Sequence, residues 1–176
     1  DLVLATHGRG IYILDQVNAL QEMTPAVARS QGHLFTVEPA DQIRYRSEKA
    51  HTGNMIFEGE NPPDGAIFDV WSASDGAEIG FVVLNAEGER VAEMTDTASR
   101  GMNRSVWDLR HTRTDGEEAG GRGPLVLPGT YTARMTLGGV VSERTFEVRE
   151  DPRLDDPPGV REAWTCLLYT SPSPRD

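Results

Sequence analysis

The chain has 176 residues, enough for one domain or two small ones. Its 28 acidic residues outnumber its 17 basic ones, and the net charge of -11 argues against nucleic-acid binding, which requires a basic face. No apolar run approaches the roughly 18 residues of a membrane span, and the single Cys excludes a disulfide framework and a cysteine zinc site.

Residues 1–15 predict a β-hairpin. Residues 2–6 and 11–14 form two apolar runs of strand length, and the sequence HGRG between them predicts a tight turn in which glycine supplies positive φ. The strand pattern is already under way at Leu2. We therefore expect the hairpin to be the end of a larger sheet whose other strands precede Asp1.

Residues 16–60 predict a linker that contains one short helix. Apolar residues spaced by three, three and four predict the helix within residues 16–30, and Pro25 is expected to end or break it. Residues 34–35 form an isolated apolar patch, and residues 41–51 predict a loop or a partly disordered segment. The helical spacing is carried by Val17, Leu20, Met23 and Val27.

Residues 61–153 predict an all-β domain, a β-sandwich. The turn-rich sequence GENPPDG at 59–65 marks its start, and the proline-rich sequence that begins at Asp151 marks its end, because proline blocks further strand pairing. Six or seven short strands in about 85 residues are typical of a sandwich. The predicted strands are 66–72, 79–84, 91–94, 105–110, 131–137 and 140–149.

A two-residue turn at Gly138 and Gly139 predicts the register of the last hairpin. An aromatic pair then lies on the inner face and an opposite-charge pair on the outer face, which are both favourable. Two polar residues, Ser142 and Arg144, fall on the inner face near the turn, so we expect its tip to be partly exposed. The predicted pairs are Tyr131 with Phe146, Arg134 with Glu143, Met135 with Ser142 and Ala133 with Arg144.

Residues 154–176 predict a tail outside the sandwich. Its last part, CLLYTSPSPRD at 166–176, resembles the translated adapter sequence that ends many metagenome-assembled reading frames, and we interpret it as non-native. A disordered native tail is the alternative. Without this segment the chain would contain no cysteine.

Several motifs together suggest a family. The sequence DLVLATHGRGIYILD at 1–15 resembles the closing strands of the sortilin-like, BNR-repeat β-propeller proteins of bacteria, which are often described as glycosyl hydrolase-like. The NPPDGA linker, the strand NRSVWDLR at 103–110, the turn LPGTY at 127–131 and the sequence DPR at 151–153 follow in the family's order. The sandwich also resembles the Ig-like domain of the flagellar hook-capping family.

This resemblance implies a fold and a setting. The chain would hold the last hairpin of a truncated β-propeller, a short helical linker and an Ig-like β-sandwich, and its principal partner would be its own propeller. It also implies a location outside the cytoplasm, extracellular or periplasmic. Any site on the central face of the propeller would lie in blades that precede Asp1.

The four histidines do not predict a metal site. His7, His33, His51 and His111 are scattered, without a second His at helical spacing and without a Cys partner. His7 and Arg9 occupy a turn of the kind near which family propellers bind ligands, but a solvated structural turn is the simpler interpretation. Asp15 is expected to cap the helix that follows it.

Two tryptophans are candidates for stacking on a sugar ring. Trp107 lies on the same strand face as Leu109, which favours core packing. Trp71 is the better candidate for an exposed aromatic, and pairing with a neighbouring domain explains it equally well. Asp108 and Arg110 flank Trp107 on the outward face, where they are expected to form surface pairs across strands.

The acidic pairs do not predict glycoside hydrolysis, because both lie in loops rich in Gly or Pro rather than on rigid elements. They are Glu117 with Glu118 and Asp155 with Asp156. The sequence GGRG at 120–123 lacks the strand, helix and Lys-Ser/Thr of a phosphate loop. We therefore expect no catalytic, cofactor-binding or metal-binding residue in the chain, and no cofactor.

The sequence leaves three functions open. The first is a non-catalytic accessory or interaction module of a larger secreted propeller protein. The second is part of a glycan-active hydrolase whose site lies in the propeller, and the third is a sortilin-type receptor or adhesion module. An exposed row of aromatics on the sandwich would favour glycan binding, whereas an apolar patch without aromatics would favour packing on the propeller.

Overall fold

The computed structural model describes residues 2–8, 10–14, 16–43, 63–112, 122–153, 159–160 and 163. Strands dominate these ranges, and two sheets pack face to face, so the predicted all-β sandwich is confirmed. The tail at 166–176 lies outside the described residues.

The chain begins with a hairpin and two short helices. Strands β1 (Leu2–Ala5) and β2 (Ile11–Leu14) pair antiparallel. Helices α1 (Asn18–Glu22) and α2 (Pro25–Arg29) replace the single predicted helix. The break falls where proline predicts it: Pro25 occupies the first turn of α2, and the Thr24 hydroxyl caps that helix by accepting from the Val27 amide at 3.2 Å.

Two further strands lie in the range that the sequence assigns to a linker. Strand β3 (Gly32–Leu34) pairs antiparallel with the strand at 66–72, and β4 (Ala40–Gln42) pairs parallel with the last strand of the sandwich. The predicted loop at 41–51 was therefore wrong at its first two residues. The apolar patch at Leu34 and Phe35 is not isolated, because both side chains are fully buried.

Eight strands follow between residues 66 and 150. They are β5 (Ala66–Ser72), β6 (Ala77–Leu84), β7 (Arg90–Ala98), β8 (Gly101–Trp107), β9 (Arg110–Thr112), β10 (Arg122–Leu125), β11 (Gly129–Leu137) and β12 (Val140–Glu150). One sheet has the order β3-β5-β8 and the other the order β4-β12-β11-β6-β7, while β9 and β10 form a small separate pair.

The strand β8 starts and ends earlier than the predicted strand at 105–110. It ends at Trp107 because the backbone of Leu109 adopts a left-handed φ of 58°, which turns the chain. The predicted loop at 111–123 was also wrong at its two ends, where β9 and β10 pair, and its middle lies outside the described residues. Gly65 supports the same corner: a Cβ there would lie 2.1 Å from the Trp107 carbonyl oxygen, so no larger residue fits.

The core between the two sheets is built on aromatic rings. Phe68 packs 5.1 Å from Phe81 and 5.8 Å from Phe146, measured between ring centroids. Trp107 joins the same cluster and is 4% exposed, which confirms its prediction as a core residue. Tyr131 also contributes, and its hydroxyl donates to the Leu127 carbonyl at 2.6 Å, the geometry of a tyrosine corner.

The predicted register of the β11–β12 hairpin is confirmed at every pair, including Tyr131 with Phe146 and Arg134 with Glu143. The predicted exposure of its tip was wrong on β11, where Met135 and Leu137 are buried. Strand β3 covers this part of the inner face: a Cβ on Gly32 would lie 2.9 Å from a Leu137 methyl carbon. The facing residues of β12 remain half-buried, as predicted.

Candidate interaction surface

The β1–β2 hairpin carries the largest exposed apolar surface among the described residues. Its register pairs Leu2 with Leu14 and Leu4 with Tyr12. The turn is closed by the Thr6 amide, which donates to the Gly10 carbonyl at 2.8 Å, and by the Gly10 amide, which donates to the Thr6 hydroxyl at 3.1 Å. The hairpin is therefore locally well formed.

Both faces of this hairpin are apolar and exposed. Directly opposed residues of an antiparallel pair share a face, so Leu2, Leu4, Tyr12 and Leu14 lie on one face and Val3, Ala5, Ile11 and Ile13 on the other. Every one of these residues is exposed, and the seven large ones range from 45% for Leu2 to 70% for Ile11. The strands carry no charged residue. A solvated hairpin normally alternates apolar and polar faces, and this one does not.

The outer surface of the sandwich is different. Among the sandwich residues that the structure describes, no aromatic side chain is exposed. Trp71, the predicted exposed aromatic, is only partly accessible, and its indole Nε1 donates to the Ser30 carbonyl at 3.3 Å. The described sandwich thus lacks the row of rings that stacks on a glycan.

The outward faces of the sheets carry ion pairs instead. Asp69 on β5 accepts from Nε and Nη2 of Arg104 on β8 at 2.8 and 3.1 Å, and the Asp69 side chain is 8% exposed. Arg134 pairs with Glu143 at 2.6 Å on the other sheet, and both side chains are about half exposed. These pairs link neighbouring strands.

Residues close to Trp107 form hydrogen bonds at the turn that follows β8. Arg110 donates from Nη1 to the Gly123 carbonyl at 3.1 Å, and the Trp107 indole donates to the Arg110 carbonyl at 2.9 Å. Asp108 is half-buried next to them. The prediction that Asp108 forms a surface pair across strands stays a prediction.

The three described histidines lie in different elements. His7 is exposed in the hairpin turn, and His33 contacts Glu22 at 3.0 Å. Burial lowers the pKa of His111 on β9 below its ordinary value. Across the described parts of the chain, no group of three or more His, Cys, Asp or Glu side chains is placed to hold a metal ion.

The other sequence candidates fall outside the described residues. They are Arg9, Asp15, His51, Glu117, Glu118, Asp155, Asp156 and the first two residues of the GGRG segment.

Sequence reasoning missed three carboxylates that anchor the described structure. They are Glu22, which holds α1 to its neighbours, Asp69 in its buried pair, and Asp151, which is 1% exposed and accepts from the Arg153 amide and guanidinium at 2.6 to 3.0 Å. Asp69 had a visible signal, because it interrupts the apolar sequence AIFDVWS. A charge at such a position needs a partner.

No protein-family model matches this chain, and no curated protein matches it either. No helix in the described ranges is long and apolar enough to cross a membrane.

Proposed function

We propose that the chain is a non-catalytic accessory module of a larger, secreted β-propeller protein, as its sequence resemblance implies. The hairpin β1–β2 supplies strands to a propeller blade, and the sandwich is held beside it. One observation carries this proposal: the hairpin is apolar on both faces, as a strand pair is when sheets cover it from both sides.

The energetics favour such a covered position. Full burial of a large apolar side chain contributes about 1.5–3 kcal/mol relative to exposure. Seven large apolar side chains of the hairpin are exposed. Completing their burial contributes on the order of 5–10 kcal/mol before the costs of association are subtracted. Two strands alone are marginal in water, so this burial also stabilises the hairpin itself.

The surface of the sandwich supports protein packing over glycan binding. Its described part exposes no aromatic ring, whereas Val141, on the outer face of β12, is 59% exposed. Sugar recognition by stacking needs an accessible ring. The resemblance to propeller proteins further supports a location outside the cytoplasm, extracellular or periplasmic.

The test is complementation of a propeller. The chain would be co-expressed with a bacterial sortilin-like propeller polypeptide from which the closing hairpin has been deleted. We expect a stoichiometric complex that survives size-exclusion chromatography. The double substitution Val3→Glu and Ile13→Glu, which places a charge on a covered face, should abolish it.

The control is Val141→Glu, which introduces one such charge at an exposed apolar residue of the sandwich. This variant should leave the complex intact. A complex that tolerates the hairpin substitutions, or no complex with the wild-type chain, would contradict the proposal.

A further inference from the structure

The Glu22 carboxylate at the end of α1 joins the helical segment to both sheets of the sandwich. Its Oε1 lies 3.0 Å from His33 Nε2 on β3 and 3.5 Å from Arg144 Nη2 on β12. Its Oε2 accepts from the Thr36 backbone amide at 2.9 Å. Strand β3 belongs to the three-stranded sheet and β12 to the five-stranded sheet, so one side chain bridges both layers.

The rest of this segment is also held by polar contacts. The strap, defined as residues 17–31, is fixed by Asn18 Nδ2, which donates to the Thr36 carbonyl at 2.9 Å, and by the Ser30 carbonyl, which accepts from Trp71 at 3.3 Å. Apolar burial contributes little: α2 buries no residue, α1 buries only Ala19, and Leu20 is 55% exposed.

Such a segment has the properties of a unit that opens by itself. Five-residue helices are not stable in isolation, and few buried apolar contacts place a segment at the low end of local stability. The backbone of Gln16 adopts a left-handed φ of 54°, which turns the chain between β2 and the strap. The strap is thus the segment of chain that connects the hairpin to the sandwich.

We infer that the strap is a conformational latch, closed by the Glu22 carboxylate, which opens as a unit when Glu22 loses its charge while the sandwich stays folded. Glu22 is a positioning residue, because it acts on the hairpin through the strap. This opening does not depend on what the hairpin binds.

The electrostatics give the direction of a pH dependence. Burial acts to raise the pKa of the Glu22 carboxyl, but hydrogen bonds from the Thr36 amide and from His33 outweigh burial and hold this pKa below its ordinary value of 4.5. A lowered pKa contributes stability above the ordinary value, and this stability is lost as the pH falls through the lowered pKa. Among the described residues, the titratable and charged groups that face Glu22 are the His33 imidazole from β3 and the Arg144 guanidinium from β12.

The test is amide hydrogen exchange of the full chain with the substitution Glu22→Gln at neutral pH. We expect exchange in residues 17–31 to become about tenfold faster, with protection of β5, β6 and β11 unchanged. In the wild-type chain, the same acceleration should appear as the pH falls below 4.5 and through the lowered pKa of Glu22, after correction for intrinsic exchange rates, and the variant should show no such step.

The matched control is Glu143→Gln, which removes a carboxylate that pairs with Arg134 at 2.6 Å but joins no segment to the sandwich. It should leave exchange in the strap unchanged. Unchanged exchange of the strap in Glu22→Gln would overturn the inference. An equal loss of protection in the strap and in the core strands would overturn it too, because the strap would then not open by itself.

Discussion

The hairpin β1–β2 and the central strand β6 have similar sequences and opposite environments. Both carry apolar residues on both faces, although β6 also contains the exposed Glu78. In β6, the side chains of Ile79, Phe81 and Val83 are fully buried, and the strand lies between β7 and β11. In the hairpin, every strand residue is exposed.

The comparison shows that an apolar sequence favours burial of a strand, but other strands must be present to bury it. The inner face of β6 is buried against the other sheet of the sandwich, and its outer face is partly exposed. No described residue buries the hairpin side chains, so the hairpin has the sequence of a buried strand but is exposed. The two places also differ in strand pairing: β6 pairs with a strand on each edge, whereas each hairpin strand pairs, among the described residues, only with the other.

The largest expected effect contrasts a core ring with a hairpin side chain. Phe81→Ala should lower the free energy of unfolding by about 3–5 kcal/mol, because Phe81 is fully buried against Phe68. Ile13→Ala should change it by less than about 0.5 kcal/mol, because Ile13 is 62% exposed. Urea unfolding followed by tryptophan fluorescence measures both. An equal loss of unfolding free energy in the two variants would contradict the difference in burial between the two regions.

A smaller change in the free energy of unfolding is expected from the ion pairs of the sandwich. The hairpin strands contain no charged residue. Asp69→Asn should lower the free energy of unfolding by about 1–3 kcal/mol, a value reduced from that of a buried pair because Arg104 is 37% exposed. Glu143→Gln removes an exposed pair and should change it by less than about 1 kcal/mol. Chemical unfolding of both variants shows which one loses more stability. A greater loss of stability in Glu143→Gln would contradict the role given to Asp69.

The smallest effect isolates single hydroxyl groups in the two regions. Tyr131→Phe should lower the free energy of unfolding by about 1 kcal/mol, because the half-buried hydroxyl donates to the Leu127 carbonyl. Tyr12→Phe should have no measurable effect, because Tyr12 is 66% exposed. Thermal unfolding of the two variants side by side makes the comparison, and a destabilised Tyr12→Phe would indicate a contact of the hairpin that this structure does not contain.

Much of the sandwich was predictable from local patterns. The two-residue turn at Gly138 and Gly139 determines the whole register of β11 and β12, since each further pair follows from the first. Alternation likewise predicts β5 at its observed bounds and places Trp107 in the core. These features depend on neighbouring residues alone.

The features that were missed depend on residues distant in sequence. Strands β3 and β4 have three residues each, too short for periodicity to be visible, and exist because β5 and β12 pair with them. Glu22 contacts Arg144, which lies 122 positions later in the chain. The Asp41 carboxylate likewise pairs with Arg149 at 2.8 Å. No local pattern contains such information.

We expect the hairpin to be an apolar docking element, because no described residue of the chain covers it. Amide hydrogen exchange of the wild-type chain, kept monomeric as verified by analytical ultracentrifugation, tests it most directly. The account predicts that amides of residues 2–5 and 11–14 exchange at least about a hundredfold faster than those of β6, since an uncovered two-stranded hairpin is marginal in water. Equal protection of the hairpin and of β6 in the monomer would contradict the account, because the hairpin would then be covered by its own chain.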